Sequence, residues 1–213
     1  MNKEKRSFGP KLNKVVVKFS NNLIIKTVAN GMMLTLPITI VGSLLMVVQM
    51  IPNLPDVINQ ACTIGTTITS NFIALYIVLG MSYVLAKEIK SDVPASMILA
   101  VSTFLIVTPI TNFDVGGDKP VQAIVLGYLG SKGIFVGMIM SIFTTWAFAK
   151  LSEKKISPKM PDSVPPFISK TFEAIVPAAI LFVCAIIISL LFSMTSYGNV
   201  HDFIYTLLQT PLE

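Results

Sequence analysis

The side chains best able to do chemistry are few in this sequence, and they follow no catalytic pattern. The chain has one histidine, His201, and two cysteines, Cys62 and Cys184. The cysteines lack CxxC spacing and have no histidine near them, which argues against a metal or redox site. No HExxH, Walker-loop or GxSxG motif occurs along the chain. We therefore predict no catalytic residue, no metal site and no cofactor, and we expect both cysteines to be small buried hydrophobic residues.

The composition indicates a membrane protein rather than a soluble domain. Soluble domains carry about 25% charged residues, whereas this chain of 213 residues carries 13% and is 53% hydrophobic. The charge is missing from long apolar runs, as is typical of a bilayer protein. The net charge of +5 does not indicate nucleic-acid binding, because the basic residues are confined to segments between the apolar runs.

The elements that must position any functional residue are therefore membrane helices. We predict an all-α, polytopic transmembrane bundle of about five spans within residues 28–197, since a hydrocarbon core of about 30 Å needs about 20 residues of helix. Pro37 falls inside the first span, where the carbonyl it frees needs a neighbouring helix. The predicted spans cover residues 28–50, 72–86, 93–110, 133–149 and 174–197.

The segments between the spans differ in character. Residues 56–71 hold too many threonines and amides for contact with lipid, and residues 111–120 are expected to form a turn-rich loop. Residues 121–129 are apolar but short, and they are expected to form a half-buried approach to the fourth span. No charged residue falls in the middle of a predicted span, which argues against ion-coupled transport by this chain alone. Glu173 is expected to cap the fifth span, and we assign His201 no role as a ligand or proton relay.

A basic leader precedes the first span. Residues 1–27 contain seven basic residues, and apolar side chains recur among them at helical spacing at Leu12, Val15, Val16, Phe19 and Leu23. This pattern predicts an amphipathic helix on an anionic lipid surface. A solvated basic tail is the alternative.

The distribution of lysine and arginine predicts the orientation. The leader, the turn after the second span and the connection 150–173 carry fourteen of the sixteen basic residues. The positive-inside rule places these segments and the N-terminus in the cytoplasm and residues 198–213 outside the cell membrane. Two further features are candidates for contacts. The GxxxG pair Gly133 and Gly137 is expected to pack against another helix, and Lys154, Lys155 and Lys159 lie in the longest basic connection.

Three stretches of the sequence resemble one transporter family. They read NGMMLTLPITIVGS at 30–43, GYLGSKGIFVGMIMSI at 127–142 and ISPKMPDSVPPFISKTFEAIVP at 156–177. The last contains the pattern K-M-P-(D/E)-x-V-P-P followed by a phenylalanine, a glutamate and a proline. All three resemble the IIC permease of the sugar phosphotransferase system, in its lactose, cellobiose and diacetylchitobiose branch. Asn30 stands where an aspartate is common in that family.

The resemblance implies a plasma-membrane permease subunit that is not itself an enzyme. Such a subunit takes up a β-linked disaccharide, and a IIB partner supplied by IIA phosphorylates the sugar. It further implies a homodimer through the N-terminal helices and a sugar-binding half that would follow residues 198–213. The lysines of the connection 150–173 are then expected to face IIB, unless that connection is only a rigid link. A truncated, non-transporting dimerisation module is the alternative, and a split or incomplete gene is also consistent with the length.

Overall fold

The computed structural model describes residues 22–114, 116, 119–154, 156 and 165–209. Most of the predicted leader 1–27 and the two lysines Lys155 and Lys159 lie outside the described residues. Over the described part the chain is an all-α helical bundle with one short hairpin, as predicted for the fold class. Its helices are α1 Leu23–Met33, α2 Leu36–Gln49, α3 Asp56–Ser70, α4 Ile73–Glu88, α5 Val93–Val107, α6 Leu126–Leu129, α7 Ile134–Glu153, α8 Pro166–Ser193 and α9 Val200–Gln209, with a 3-10 turn at Ser131–Gly133 before α7.

The first predicted span, 28–50, is two helices that meet at an angle of 40° instead of one continuous helix. The first helix ends at Met33, and Pro37 lies in the first turn of α2 rather than in the interior of a long helix. A proline is well placed there, because the first turn needs no N–H donor from it. At the break, the Thr35 hydroxyl donates to the Met32 carbonyl at 2.7 Å, which supplies a partner for a carbonyl at the helix end.

The polar segment before the second predicted span is also helical. It forms α3, which joins α4 at a bend of 42°. The hydroxyls of Thr63, Thr66 and Thr69 donate to carbonyls within the helix, as Thr63 does to the Asn59 carbonyl at 2.9 Å. Gln49 of α2 donates to the Thr63 hydroxyl at 2.7 Å and thereby ties the two helices together. Back-bonded hydroxyls make such a segment compatible with a helix that has little access to water.

Among the described residues, two helices are individually long and apolar enough to cross a membrane, Ser131–Glu153 and Thr171–Ser193, and each bent pair can add one more. Helix α5, with 15 residues, is about 22 Å long and so is shorter than the predicted span 93–110. It ends at Val107 because Thr108 precedes a proline and adopts an extended backbone. The segments predicted as a loop at 111–120 and a half-buried approach at 121–129 contain a β-hairpin instead. In it, Ile110–Phe113 (β1) pairs antiparallel with Val121–Ile124 (β2).

Helix α4 is the centre of the bundle, in contact with α1, α5 and α7. Its buried residues Ala74 and Val78 pack with residues such as Phe104 of α5 and Val136 of α7. Glycines allow the closest approach to α1, because a Cβ built on Gly80 would lie 2.5 Å from the Gly31 carbonyl oxygen. Helices that approach this closely gain van der Waals contact, which drives association where lipid surrounds the bundle.

Substituting Gly80 with alanine should therefore destabilise the bundle. The new methyl group would force α1 away from α4, and overpacking of this kind costs about 1–3 kcal/mol. Gly127→Ala is the matched control, because nothing lies within 4 Å of a Cβ built there. Unfolding in detergent micelles, followed by circular dichroism, measures the difference. Equal stabilities of the two variants would show that the α1–α4 crossing tolerates the methyl group.

Candidate functional site

Buried polar side chains meet where the end of α5, helix α6 and helix α9 converge. His201, in the first turn of α9, is fully buried. Its Nε2 lies 3.0 Å from the Thr108 hydroxyl just after α5. Its ring packs edge-on against Phe104 at 5.5 Å between centroids and tilted against Tyr128 at 5.2 Å. The segment 198–213, expected to be an outer tail, therefore includes a helix docked on the bundle.

The hydrogen bonds at Thr108 determine which imidazole nitrogen carries the proton. The Thr108 hydroxyl lies 2.8 Å from the Phe104 carbonyl oxygen and donates its only proton there. It must then accept from the His201 Nε2–H, which leaves a lone pair on Nδ1. Within the described part of the chain, no hydrogen-bond partner reaches Nδ1. Protonation of His201 would therefore bury a cation whose second N–H has no acceptor.

Burial accordingly lowers the pKa of His201 from its ordinary 6.5 to about 4, against a smaller opposing effect of the Asp202 charge. The ring is neutral at neutral pH. A neutral histidine with one nitrogen engaged by threonine holds its helix in place, and it has no second group with which to pass a proton.

Asp202 forms the second part of the cluster. Its Oδ2 accepts from the Tyr128 hydroxyl at 2.9 Å and from the Asn199 amide at 2.8 Å. Its own backbone N–H donates to Asn199 Oδ1 at 2.8 Å, a helix-capping arrangement. The pKa of Tyr128 is raised, mainly by burial and to a smaller extent by the hydrogen bond to Asp202. Lys132 lies over the rings of Tyr128 and Tyr205, at 5.8 and 5.2 Å from the centroids.

We call this set the α9 clasp, and it consists of Thr108, Tyr128, Asn199, His201 and Asp202. Sequence reasoning assigned His201 no role and missed the other four. Asn199 followed three residues later by Asp202 is a local signal of helix capping that could have located the start of α9. Thr108 and Tyr128 carry no such signal, because 93 and 74 residues separate them from their partners.

The remaining residues that the sequence analysis selected lie away from the α9 clasp, in the turn before α7, on α7 or on α8. A Cβ built on Gly137 would lie 2.9 Å from Val78 Cγ2 of α4, and one built on Gly133 would overlap the Tyr128 carbonyl. Lys154 ends α7 as an exposed capping residue. Glu173 does not cap its helix as expected, since α8 already begins at Pro166, seven residues earlier.

The described residues contain no group of three histidine, cysteine, aspartate or glutamate side chains that could hold a metal ion. Cys62 is buried and Cys184 is half-buried, and both are free thiols.

Comparison with known proteins relates this fold to a family of transporters. The family model "Phosphotransferase system, EIIC" matches residues 29–211. The chain is 29% identical to the oligo-beta-mannoside-specific EIIC component of Bacillus subtilis, over 92% of this chain and 46% of that protein. It is 28% identical to the cellobiose-specific EIIC component of Geobacillus stearothermophilus, over 93% of this chain and 47% of that protein.

The fold agrees with a solved structure. It superposes on the transporter ChbC, the IIC component from the N,N'-diacetylchitobiose-specific phosphotransferase system, with a TM-score of 0.85 and 30% identity. That match covers 94% of this chain and 50% of the other. The chain spans about half the length of the relatives that it matches.

The free energy of unfolding should depend on pH through His201. Between pH 6.5 and the folded pKa of about 4, the unfolded chain binds a proton that the folded chain does not. The stabilisation is complete above pH 6.5 and is lost as the pH falls, by about 3 kcal/mol at pH 4. Unfolding in micelles at a series of pH values measures the slope.

Two variants separate His201 from the carboxylates that titrate in the same range. His201→Gln should flatten the profile between pH 6.5 and 4. Tyr128→Phe removes one bond of the clasp but keeps His201, and it should keep the slope. A slope unchanged in His201→Gln would contradict burial of a neutral His201.

Proposed function

Because the chain belongs to the phosphotransferase system EIIC family, we propose that it is a permease subunit for a β-linked disaccharide such as cellobiose or lactose. The observation that carries the proposal is the TM-score of 0.85 to a diacetylchitobiose IIC component at 30% identity. The names of the other relatives, which include an oligo-beta-mannoside and a cellobiose component, favour the same class of sugar. The shared region is about half of each relative, so the proposal assigns this chain the scaffold half of such a permease.

The energy source is proposed to be phosphoryl transfer through partner proteins. A IIB component, recharged by IIA, would phosphorylate the sugar at the cytoplasmic side, and the permease itself would carry no phosphoryl group. The family's sugar-contacting residues are proposed to lie outside the part that this chain shares with its relatives. The α9 clasp is consistent with that assignment, because its buried histidine is already engaged and has no room for a ligand.

We propose that the N-terminus and Lys154 face the cytoplasm of a bacterial cell. Fourteen of the sixteen basic residues lie in the leader, the turn after α4 and the connection 150–173. The ion pair between Lys26 at the start of α1 and Glu88 at the end of α4, at 2.7 Å, joins two of these segments. The end of α7 lies at the same end of the bundle, since α7 runs parallel to α4. The basic leader is proposed to bind anionic lipid there.

The bent pair α2 and α3 is the proposed dimer surface. These helices expose many large apolar side chains, such as Ile40, Leu44, Val47 and Ile64. They pack mainly on each other, so a second copy can reach them without displacing the rest of the bundle. The GxxxG residues Gly133 and Gly137 are proposed to serve the packing of α7 on α4 within one subunit. The same apolar surface supports the second candidate function, a dimerisation module that associates with an intact permease and does not transport.

Uptake distinguishes the two candidates. Cells that lack their own β-disaccharide permeases but contain IIA and IIB should accumulate radiolabelled cellobiose phosphate when they express the chain together with the second half of a related EIIC component, and the accumulation should depend on phosphoenolpyruvate. Cells that express that second half alone are the control. Absence of uptake, with co-purification of the chain and a full-length EIIC component, would reject the permease proposal in favour of the dimerisation module.

The position of Lys154 also predicts how IIB binds. Purified IIB should bind inverted membrane vesicles that contain the chain and should not bind right-side-out vesicles. Reversing charge with Lys154→Glu and Lys155→Glu should weaken binding by about tenfold at low salt and less at high salt, because exposed charges are screened. Lys119→Glu, in the hairpin at the opposite end, is the matched control. Binding to right-side-out vesicles would reverse the proposed orientation, and binding unaffected by the double reversal would reject the contact.

A further inference from the structure

An apolar cleft opens on the side of the bundle, at the end where Lys26 and Lys150 lie. It has a volume of about 420 Å³ and lies between the start of α1, the end of α4 and the second half of α7. Ile24 and Leu23 form one wall, Phe143 and Trp146 form the other, and Leu85 lies at its base. The cleft is distinct from the α9 clasp, which is at the opposite end of the bundle.

The lining of the cleft fits a hydrocarbon chain and not a sugar. Ile24 and Trp146 are about half exposed, at 55% and 53% of their surface. The one amide at the rim, Asn22, turns its oxygen back to the backbone N–H of Ile24 at 2.9 Å, where it caps α1. A saccharide would need several hydrogen-bond partners that this surface lacks, whereas an acyl chain needs none.

Two lysines flank the cleft where a headgroup would lie. Lys26 lies three residues after Leu23 on the same face of α1, and Lys150 lies one turn beyond Trp146 on the same face of α7. Both are surface residues, with side chains 43% and 53% exposed, and both already hold a carboxylate, Glu88 at 2.7 Å and Glu153 at 2.9 Å. Exposed ion pairs are weak, so either ammonium group is available to share with a phosphate.

The charge of the surrounding segments favours an anion over a neutral headgroup. The leader, the turn after α4 and the connection after α7 hold fourteen basic and six acidic residues, a net charge of +8. The segments at the other end hold two basic and five acidic residues, a net charge of −3. An anionic lipid at the cleft therefore meets a complementary field, which a zwitterionic lipid does not.

We propose that this cleft binds one acyl chain of an anionic phospholipid, with the lipid phosphate between Lys26 and Lys150. The proposal rests on the membrane placement described under the proposed function. It does not depend on sugar uptake or on IIB, so its test can fail while transport succeeds, and the reverse. An acyl chain held between α1, α4 and α7 would also hold the start of α1 against the bundle.

The chain provides its own reporter, because Trp146 is its only tryptophan. The chain is reconstituted into vesicles of unlabelled phosphatidylcholine that contain either brominated phosphatidylglycerol or brominated phosphatidylcholine at the same mole fraction. Bromine on an acyl chain quenches tryptophan fluorescence on contact, so the two quenching curves give the relative affinity of the cleft for the two lipids. Since each lysine near anionic lipid contributes about fivefold in binding and two lysines contact the phosphate, we expect phosphatidylglycerol to bind about 25-fold more tightly than phosphatidylcholine.

Variants identify the headgroup contacts. Lys26→Gln with Lys150→Gln should bring the ratio of affinities down to about one, while the emission maximum of Trp146 stays unchanged if the fold is kept. Lys119→Gln at the other end should keep the ratio. Equal quenching by both lipids in the unsubstituted chain would overturn the proposal, because it would mean ordinary surrounding lipid. Protection of Trp146 from both brominated lipids would also overturn it, since protein would then fill the cleft.

Discussion

The absence of water as a hydrogen-bond partner governs this structure. In a bilayer every backbone group and every hydroxyl has to find its partner within the protein, and each one left over costs several kcal/mol. Most buried hydroxyls of the bundle meet this requirement by bonding to a carbonyl one turn earlier, as Ser82 does to Val78 at 2.7 Å, whereas those of Thr27 and Thr145 have no partner among the described residues. Thr103 and Thr144 go further and bond to each other across α5 and α7 at 2.7 Å. At the two bends, side-chain hydroxyls donate to nearby carbonyls, as Thr35 does to Met32 at 2.7 Å and Tyr76 does to Ile68 at 3.3 Å.

The second condition for a stable bundle is close approach of its helices around α4. Lipid is as apolar as a protein core, so burial of apolar surface contributes little to the association of two helices in the bilayer. Contact distance then decides the packing energy, and glycine at Gly31, Gly80 and Gly137 brings backbones within reach of each other. The outer faces of α2, α3 and α8 remain apolar and exposed. They are suited to lipid or to further protein, which is consistent with a scaffold half that other parts of a permease contact.

The two ends of the bundle differ in their chemistry. One end is closed by the α9 clasp, in which a neutral histidine and a hydrogen-bonded aspartate attach the last described helix to α5 and α6. The other end carries the lysines and the apolar cleft beside Trp146. A scaffold with one end held by specific buried bonds and the other in contact with charged lipid would keep its orientation while a partner half moves.

The sequence by itself determined that the chain is an all-α membrane bundle and that it belongs with one transporter family. The uncharged runs decide the first point, because no soluble fold could hide so much apolar surface, and the K-M-P-D-x-V-P-P stretch with two further motifs decides the second. Helix existence is a local property of hydrophobicity, so it can be predicted without knowledge of contacts. Single turns and prolines decide the bends at Leu34 and Asn71, the hairpin 110–124 and the early end of α5. They move the boundary of a helix without changing the hydrophobic pattern of the sequence, so the pattern does not predict them. His201 shows what only the tertiary structure decided. Its burial and its neutral state come from Thr108, Phe104 and Tyr128, which are distant along the chain and become neighbours only when α5, α6 and α9 pack together.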